Sequence, residues 1–187
     1  MARTRPRATG DGEGAVFLIT GIQASGKSTI GQCLAQRFPR SAHVRDVFSQ
    51  MFVVGRIPME PNAGPEALEQ LDLRYRLAAQ TADAFADAGY VTIVQDNVYG
   101  DYLTRFVERI RFRPLHVVVL VPRPDVVAAR EAGRAKTAYR PGSWSIEGLD
   151  EELRERTPRI GLWLDTSDQT PEETVDVILQ RRNEARV

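Results

Sequence analysis

The 187-residue chain reads as an α/β protein built on a doubly wound, five-stranded parallel sheet. Three observations predict this. Five short apolar segments alternate with stretches of helical periodicity, the order that makes parallel sheets with right-handed crossovers. One of them, over 115–121, is almost continuously apolar, as a strand covered on both faces must be. The first segment runs directly into Gly21-Ile22-Gln23-Ala24-Ser25-Gly26-Lys27-Ser28, a Gly-rich turn set between a strand and a helix.

The elements follow in order. Residues 1–14 carry Arg3, Arg5 and Arg7 and then a Gly-rich stretch without periodicity, a flexible leader to a single domain over 15–187. A strand is expected over 15–20 and a helix over 27–38. A second strand over 42–45 leads into a helix over 46–54. The Pro- and Gly-rich run 58–65 is a loop, placed to cover a substrate. From 65 to 88, Leu68, Leu71, Tyr75, Ala78, Ala82 and Phe85 fall three and four apart and form one helical stripe. Pro65 suits its first turn and Gly89 its stop. The remaining strands are expected over 90–95, 115–121 and 160–164. The remaining helices are expected over 101–112, 123–135, 146–156 and 171–182. No repeat, low-complexity tract or linker interrupts the pattern.

Composition narrows the function. Lys plus Arg and Asp plus Glu number 25 each, so the chain lacks the positive excess of a general nucleic-acid binder. With 42% hydrophobic and 27% charged residues, it resembles ordinary globular proteins. No apolar stretch is long enough to cross a bilayer or to form a signal-peptide core. The single cysteine, Cys33, excludes an internal disulfide, fits a reducing cytoplasm, and lies in the first helix as a packing residue. The expectation is a cytoplasmic protein with neither membrane nor nucleic-acid partner.

Residues 21 to 28 satisfy the full G-x-x-x-x-G-K-S pattern of a phosphate-binding loop. Backbone N–H groups in such a loop curl around an anion at the positive end of a helix. Gly21, Ala24, Ser25, Gly26, Lys27, Ser28 and Thr29 are the expected nucleotide-binding residues. Lys27 can reach the β- and γ-phosphates, and the Ser28 hydroxyl can ligate Mg²⁺. In doubly wound sheets ligands bind beyond the carboxyl ends of the strands, so the residues there are the next candidates. Asp46 follows the second strand. It can activate an acceptor hydroxyl as base, or cap the following helix. Asp96 follows the third strand, after Val91-Thr92-Ile93-Val94, in the manner of a metal-holding Walker B carboxylate. It can equally contact the substrate. Arg130 and Arg134 are four apart and share a helix face. With Lys136 and Arg140, and a break at Arg140-Pro141-Gly142-Ser143, they read as a cationic flap able to stabilise a transferring phosphoryl group. His116 falls within a strand as a core residue, His43 lies near the second strand's start, and neither has metal-ligand spacing.

The phosphate loop, Asp46-Val47-Phe48, the strand ending at Asp96, and Arg130 with Arg134 together resemble the P-loop kinases of the chloramphenicol phosphotransferase and zeta-toxin group. The resemblance spans about 16–179. It implies a P-loop kinase fold with a mobile flap, ATP and Mg²⁺ as cofactors, and transfer of the γ-phosphate to a hydroxyl of a small molecule. It also implies Asp46 as base and Arg130 and Arg134 as flap arginines. One position departs: a Gly often precedes this Asp in that group, whereas Arg45 does here. Arg45, Arg56 and Arg74 join Asp46 and Asp96 as candidates for contacting the acceptor. A nucleoside or nucleotide kinase is the alternative of the same chemistry, with Phe48, Phe52 and Tyr75 as stacking faces. A nucleotide-binding regulatory module with slow hydrolysis is the alternative of another class.

Overall fold

A computed structural model describes residues 14–46, 48–134, 139 and 142–187. The leader, except Gly14, lies outside the described residues, and so do Lys136 and Arg140 of the expected flap. The strands are β1 (Ala15–Thr20), β2 (Ser41–Val44), β3 (Val91–Gln95), β4 (Leu115–Leu120) and β5 (Leu162–Leu164). They form one sheet in the order β2-β3-β1-β4-β5, every neighbouring pair parallel. The helices are α1 (Lys27–Ala35), α2 (Pro65–Asp87), α3 (Asp101–Arg109), α4 (Pro124–Ala132), α5 (Ile146–Arg156), α6 (Pro171–Gln180) and α7 (Arg182–Ala185).

Alternation along the strands divides the core into two layers, because successive side chains of a strand face opposite ways. Val16 and Leu18 of β1, Val94 of β3 and Leu115, Val117 and Val119 of β4 pack with the buried faces of α2, α3, α4 and α5. Phe17, Ile19, Ile93, Val118 and Leu120 pack on the other side with α1, α6 and α7. All six residues of β4 are buried, as expected of a strand sandwiched between helices. His116 belongs to this core: its ring stacks on Phe17 at 4.5 Å, and its Nδ1 lies 3.0 Å from the Arg182 carbonyl. Cys33 is half-buried on α1, packed against the second layer.

Helix ends follow the local sequence. Pro65 occupies the first turn of α2, and Gly89, at φ 81°, stops it. The α2 stripe is buried at Leu71, Tyr75, Ala78 and Ala82, but Leu68 and Phe85 near its ends are exposed. In α6 the Thr170 hydroxyl accepts from the Glu173 N–H while the Glu173 carboxylate accepts from the Thr170 N–H, a reciprocal capping box.

Two expectations need correction. Among the described residues of 46–54 no α-helix forms. Phe48–Gln50 form a single 3₁₀ turn, and Val53 and Val54 are 95% and 88% exposed. Met51, Val53 and Val54 stay exposed, so a helix here would gain no burial, and a lone short helix cannot meet its nucleation cost. The helix expected over 123–135 ends at Ala132, where Gly133 caps it. Arg134 therefore leaves the helix, and does not share a helical face with Arg130.

Candidate active site

The carboxyl ends of β1, β2 and β3 converge on one cleft. β1 ends at Thr20, whose hydroxyl donates to the Val98 carbonyl at 2.6 Å and accepts from the Val98 N–H at 2.9 Å. This exchange ties the start of the phosphate loop to the segment after β3. Gly21, Ala24 and Gly26 then take φ values of 145°, 61° and 102°. Left-handed residues interspersed in this way form the concave nest of N–H groups that holds anions. Gly21 is also required by space, since a Cβ there would lie 2.6 Å from the Leu120 carbonyl oxygen and 2.8 Å from Ser25 Oγ. Ala24 adopts a left-handed backbone that costs a non-glycine residue about 1 kcal/mol.

Lys27, 8% exposed, turns back onto the loop. Its Nζ donates to the carbonyls of Gly21 at 2.9 Å and Ile22 at 2.7 Å. Burial pushes the amine down to about 7; Asp96 and Asp46 oppose that fall, and Arg134 adds to it. The buried Oγ of Ser25 and Oε1 of Gln23 have no hydrogen-bond partner. A cation held only by neutral carbonyls, with the unpartnered Ser25 hydroxyl as a donor beside it, fits an anion site.

Facing the loop are the two expected carboxylates. Arg74, projecting from α2, places Nη2 3.1 Å from Asp46 Oδ1 and 4.0 Å from Asp96 Oδ1. Asp96 is 3% exposed. Burial raises its carboxyl to about 7, helped by Asp46, while Arg74, the Asn97 N–H and Lys27 pull it back. The Tyr75 hydroxyl donates to the Asn97 carbonyl at 2.6 Å, which makes Tyr75 a buried support rather than a free stacking face. Arg45 and Arg56 are exposed, and no ion pair joins them to this cluster among the described residues. A cavity of about 300 Å³ opens between the loop bearing Ile57, Pro58, Asn62 and Ala63, the start of α2 at Ala67, and Gly142.

Ser28 and Thr29, in the first turn of α1, are exposed. The Ser28 hydroxyl accepts a hydrogen bond from Gln95 Nε2 at 3.0 Å. The side chain that touches Ser28 is thus Gln95, which sequence reasoning did not single out, and Asp96 instead meets Arg74. No group of three or more His, Cys, Asp or Glu among the described residues could hold a metal. The exposed Ser28 hydroxyl does fit a divalent ion that arrives with a triphosphate.

The flap arginines have different placements. Arg130 reaches across to the loop, with Nη1 donating to the Ser25 carbonyl at 3.2 Å and Nη2 to the Thr166 carbonyl beyond β5 at 2.8 Å. Arg134 pairs with Glu131 at 3.0 Å. Tyr139, also missed in the sequence, donates its hydroxyl to the Gln23 carbonyl at 3.0 Å. Its position in a stretch without periodicity carried no signal.

No family model matches the chain, and no curated protein matches it in sequence. Solved structures do match in shape. A sugar kinase from Janibacter sp. HTCC2649 superposes with a TM-score of 0.63 at 19% identity, over 92% of this chain and 96% of that one. The tunicamycin resistance protein of Deinococcus radiodurans gives 0.65 at 18% identity, over 94% and 99%. The APS kinase of Mycobacterium tuberculosis, in complex with AMPPNP and APS, gives 0.69 at 14% identity, over 90% and 96%. The chain has the fold of the P-loop kinases. No helix among the described residues is long and apolar enough to cross a membrane.

Proposed function

We propose that this protein is an ATP- and Mg²⁺-dependent phosphotransferase that moves the γ-phosphate to a hydroxyl of a small molecule. One observation carries the reading. A phosphate loop with a buried, carbonyl-bound Lys27 faces a pair of carboxylates bridged by Arg74, close enough for Asp46 and Asp96 to shift the lysine's proton affinity. A donor site and a proton acceptor thus share one cleft, as phosphoryl transfer to a hydroxyl requires.

The residues act in sequence. As phosphates enter the loop, Lys27 exchanges the Gly21 and Ile22 carbonyls for phosphate oxygens, and the anion raises its proton affinity again. Arg130 holds the Ser25 carbonyl and so keeps the loop in shape. Arg134, already near enough to influence Lys27, meets the transferring group by leaving its pair with Glu131. Asp46 orients the acceptor hydroxyl and takes its proton, while Arg74 fixes the carboxylate's direction. Ser28 would hold Mg²⁺, which when bound neutralises phosphate charge. The tunicamycin resistance protein and the sugar kinase among the structural neighbours support a small hydroxyl-bearing acceptor, in line with the antibiotic-kinase resemblance of the sequence.

The test is incubation of metabolite extracts with protein, ATP and Mg²⁺, followed by mass spectrometry for a gain of about 80 Da, one phosphoryl group. Transfer is expected with wild type and lost in Lys27→Ala, with the circular dichroism spectrum unchanged. Equal transfer by Lys27→Ala would remove the proposal. Tight ATP binding without any acceptor-dependent ADP release would replace it with a nucleotide-binding regulatory role.

A further inference from the structure

Gln95 is 6% exposed and ends β3 against α1. Its Nε2 donates to Ser28 Oγ at 3.0 Å, while its Oε1 is buried without a partner. Beside it stands His43 of β2, whose Nε2 is also buried without a partner. That nitrogen sits so close to α1 that a Cβ on Gly31 would meet it at 2.6 Å. His43 Nδ1 lies 3.3 Å from Gln32 Oε1. Burial and then Arg45 lower the imidazole's proton affinity, and the Gln95 amide beside it opposes that fall. The neutral ring, donating from Nδ1 to Gln32, leaves Nε2 as an acceptor.

One unpartnered atom thus belongs to the amide, and the other, His43 Nε2, stands beside it. A half-turn of that amide would satisfy both, because Oε1 would accept the Ser28 hydroxyl proton and Nε2 would donate to His43. The half-turn also changes what Ser28 offers. In the arrangement seen, one lone pair of its oxygen is occupied by Gln95; after the half-turn, both lone pairs are open to a cation.

Resting on the proposed ATP- and Mg²⁺-dependent function, the geometry points to Gln95 as the positioning residue that orients the Ser28 hydroxyl toward a divalent cation, with His43 receiving the turned amide. The strand end thus supplies a neutral amide to the metal side, while Asp96, one residue on, is left to the Arg74 and Asp46 cluster. The metal's negative partners come from the nucleotide itself.

The test is Mn²⁺ binding, read as loss of the free-ion electron paramagnetic resonance signal, with the protein saturated by a non-hydrolysable ATP analogue. Analogue affinity is measured separately without metal. Gln95→Met, which cannot hydrogen bond, is expected to weaken Mn²⁺ about tenfold, as loss of such outer contacts does, and to leave metal-free analogue affinity within about twofold. Gln95→Glu restores an acceptor for the hydroxyl proton and is expected to hold Mn²⁺ at least as tightly as wild type. His43→Leu is expected to weaken Mn²⁺ in the same direction by a smaller factor. Unchanged Mn²⁺ affinity in Gln95→Met, or equal losses in Gln95→Met and Gln95→Glu, would overturn the assignment while leaving the proposed function intact. Absence of analogue binding by wild type would overturn both.

Discussion

Lys27→Met should make the nucleotide-free protein more stable while destroying its ability to bind nucleotide. On folding, the amine's pKa falls from 10.5 to about 7, and each tenfold in a protonation constant corresponds to about 1.4 kcal/mol. Holding the side chain in the empty loop at pH 7 therefore costs about 4 kcal/mol. The variant gives up two hydrogen bonds to the carbonyls of Gly21 and Ile22, each worth about 1 kcal/mol. A net gain of about 2 kcal/mol remains, measured by urea denaturation at pH 7 without nucleotide. The pH dependence supplies a second reading. Between about pH 7 and 10.5 the unfolded wild-type chain binds more protons at Lys27 than the folded one, so its stability rises with pH across that window. Asp96 acts oppositely below it: its carboxyl is raised from 3.8 to about 7, the folded chain binds more protons, and stability falls as pH climbs through that range. Wild type should thus show a stability minimum near neutrality, and Lys27→Met should lack the alkaline recovery. A variant no more stable than wild type at pH 7, with a parallel pH curve, would refute the reasoning.

Four further outcomes are expected. Gly21→Ala places a Cβ 2.6 Å from the Leu120 oxygen at a φ of 145°; it should lower stability by about 2–3 kcal/mol in a thermal melt and abolish analogue binding. Asp46→Asn should reduce turnover by about 10²- to 10⁴-fold with analogue affinity retained. Arg74→Met removes the cation that pulls Asp96 down, so the Asp96 carboxyl should titrate at still higher pH, followed by carboxyl NMR. Thr170→Ala breaks the reciprocal cap of α6; it should cost about 1 kcal/mol by denaturation without altering nucleotide affinity.

The parts legible in the sequence were those whose signal is local. The strand, loop and helix around Lys27 announce themselves through spacing alone, and the five strands through runs of apolar residues. The α2 helix was legible from its stripe and its Pro and Gly ends. The choice between Gln95 and Asp96 was harder, because it turns on the phase of β3. Ile93 faces α1 and Val94 faces α2; two residues on from each, Gln95 meets Ser28 and Asp96 meets Arg74. Strand alternation would have assigned both had the faces been known. The pairing of Arg130 with Arg134 failed for a different reason: Gly133 ends the helix between them, and spacing of four implies a shared face only while the helix continues. The bond from Tyr139 to the Gln23 carbonyl and that from Arg130 to the Thr166 carbonyl join segments more than thirty residues apart, where no local pattern reaches.

Residues 51–64 carry no strand or helix, yet Ile57, Pro58, Asn62 and Ala63 among them line the cavity near Ala67. Surface connections of this kind accept insertions and exchanges that a sheet would not. Under the proposed reading, the choice of acceptor can therefore drift from lineage to lineage while the catalytic scaffold is inherited intact, and transplanting this stretch between relatives offers a direct route to new specificities.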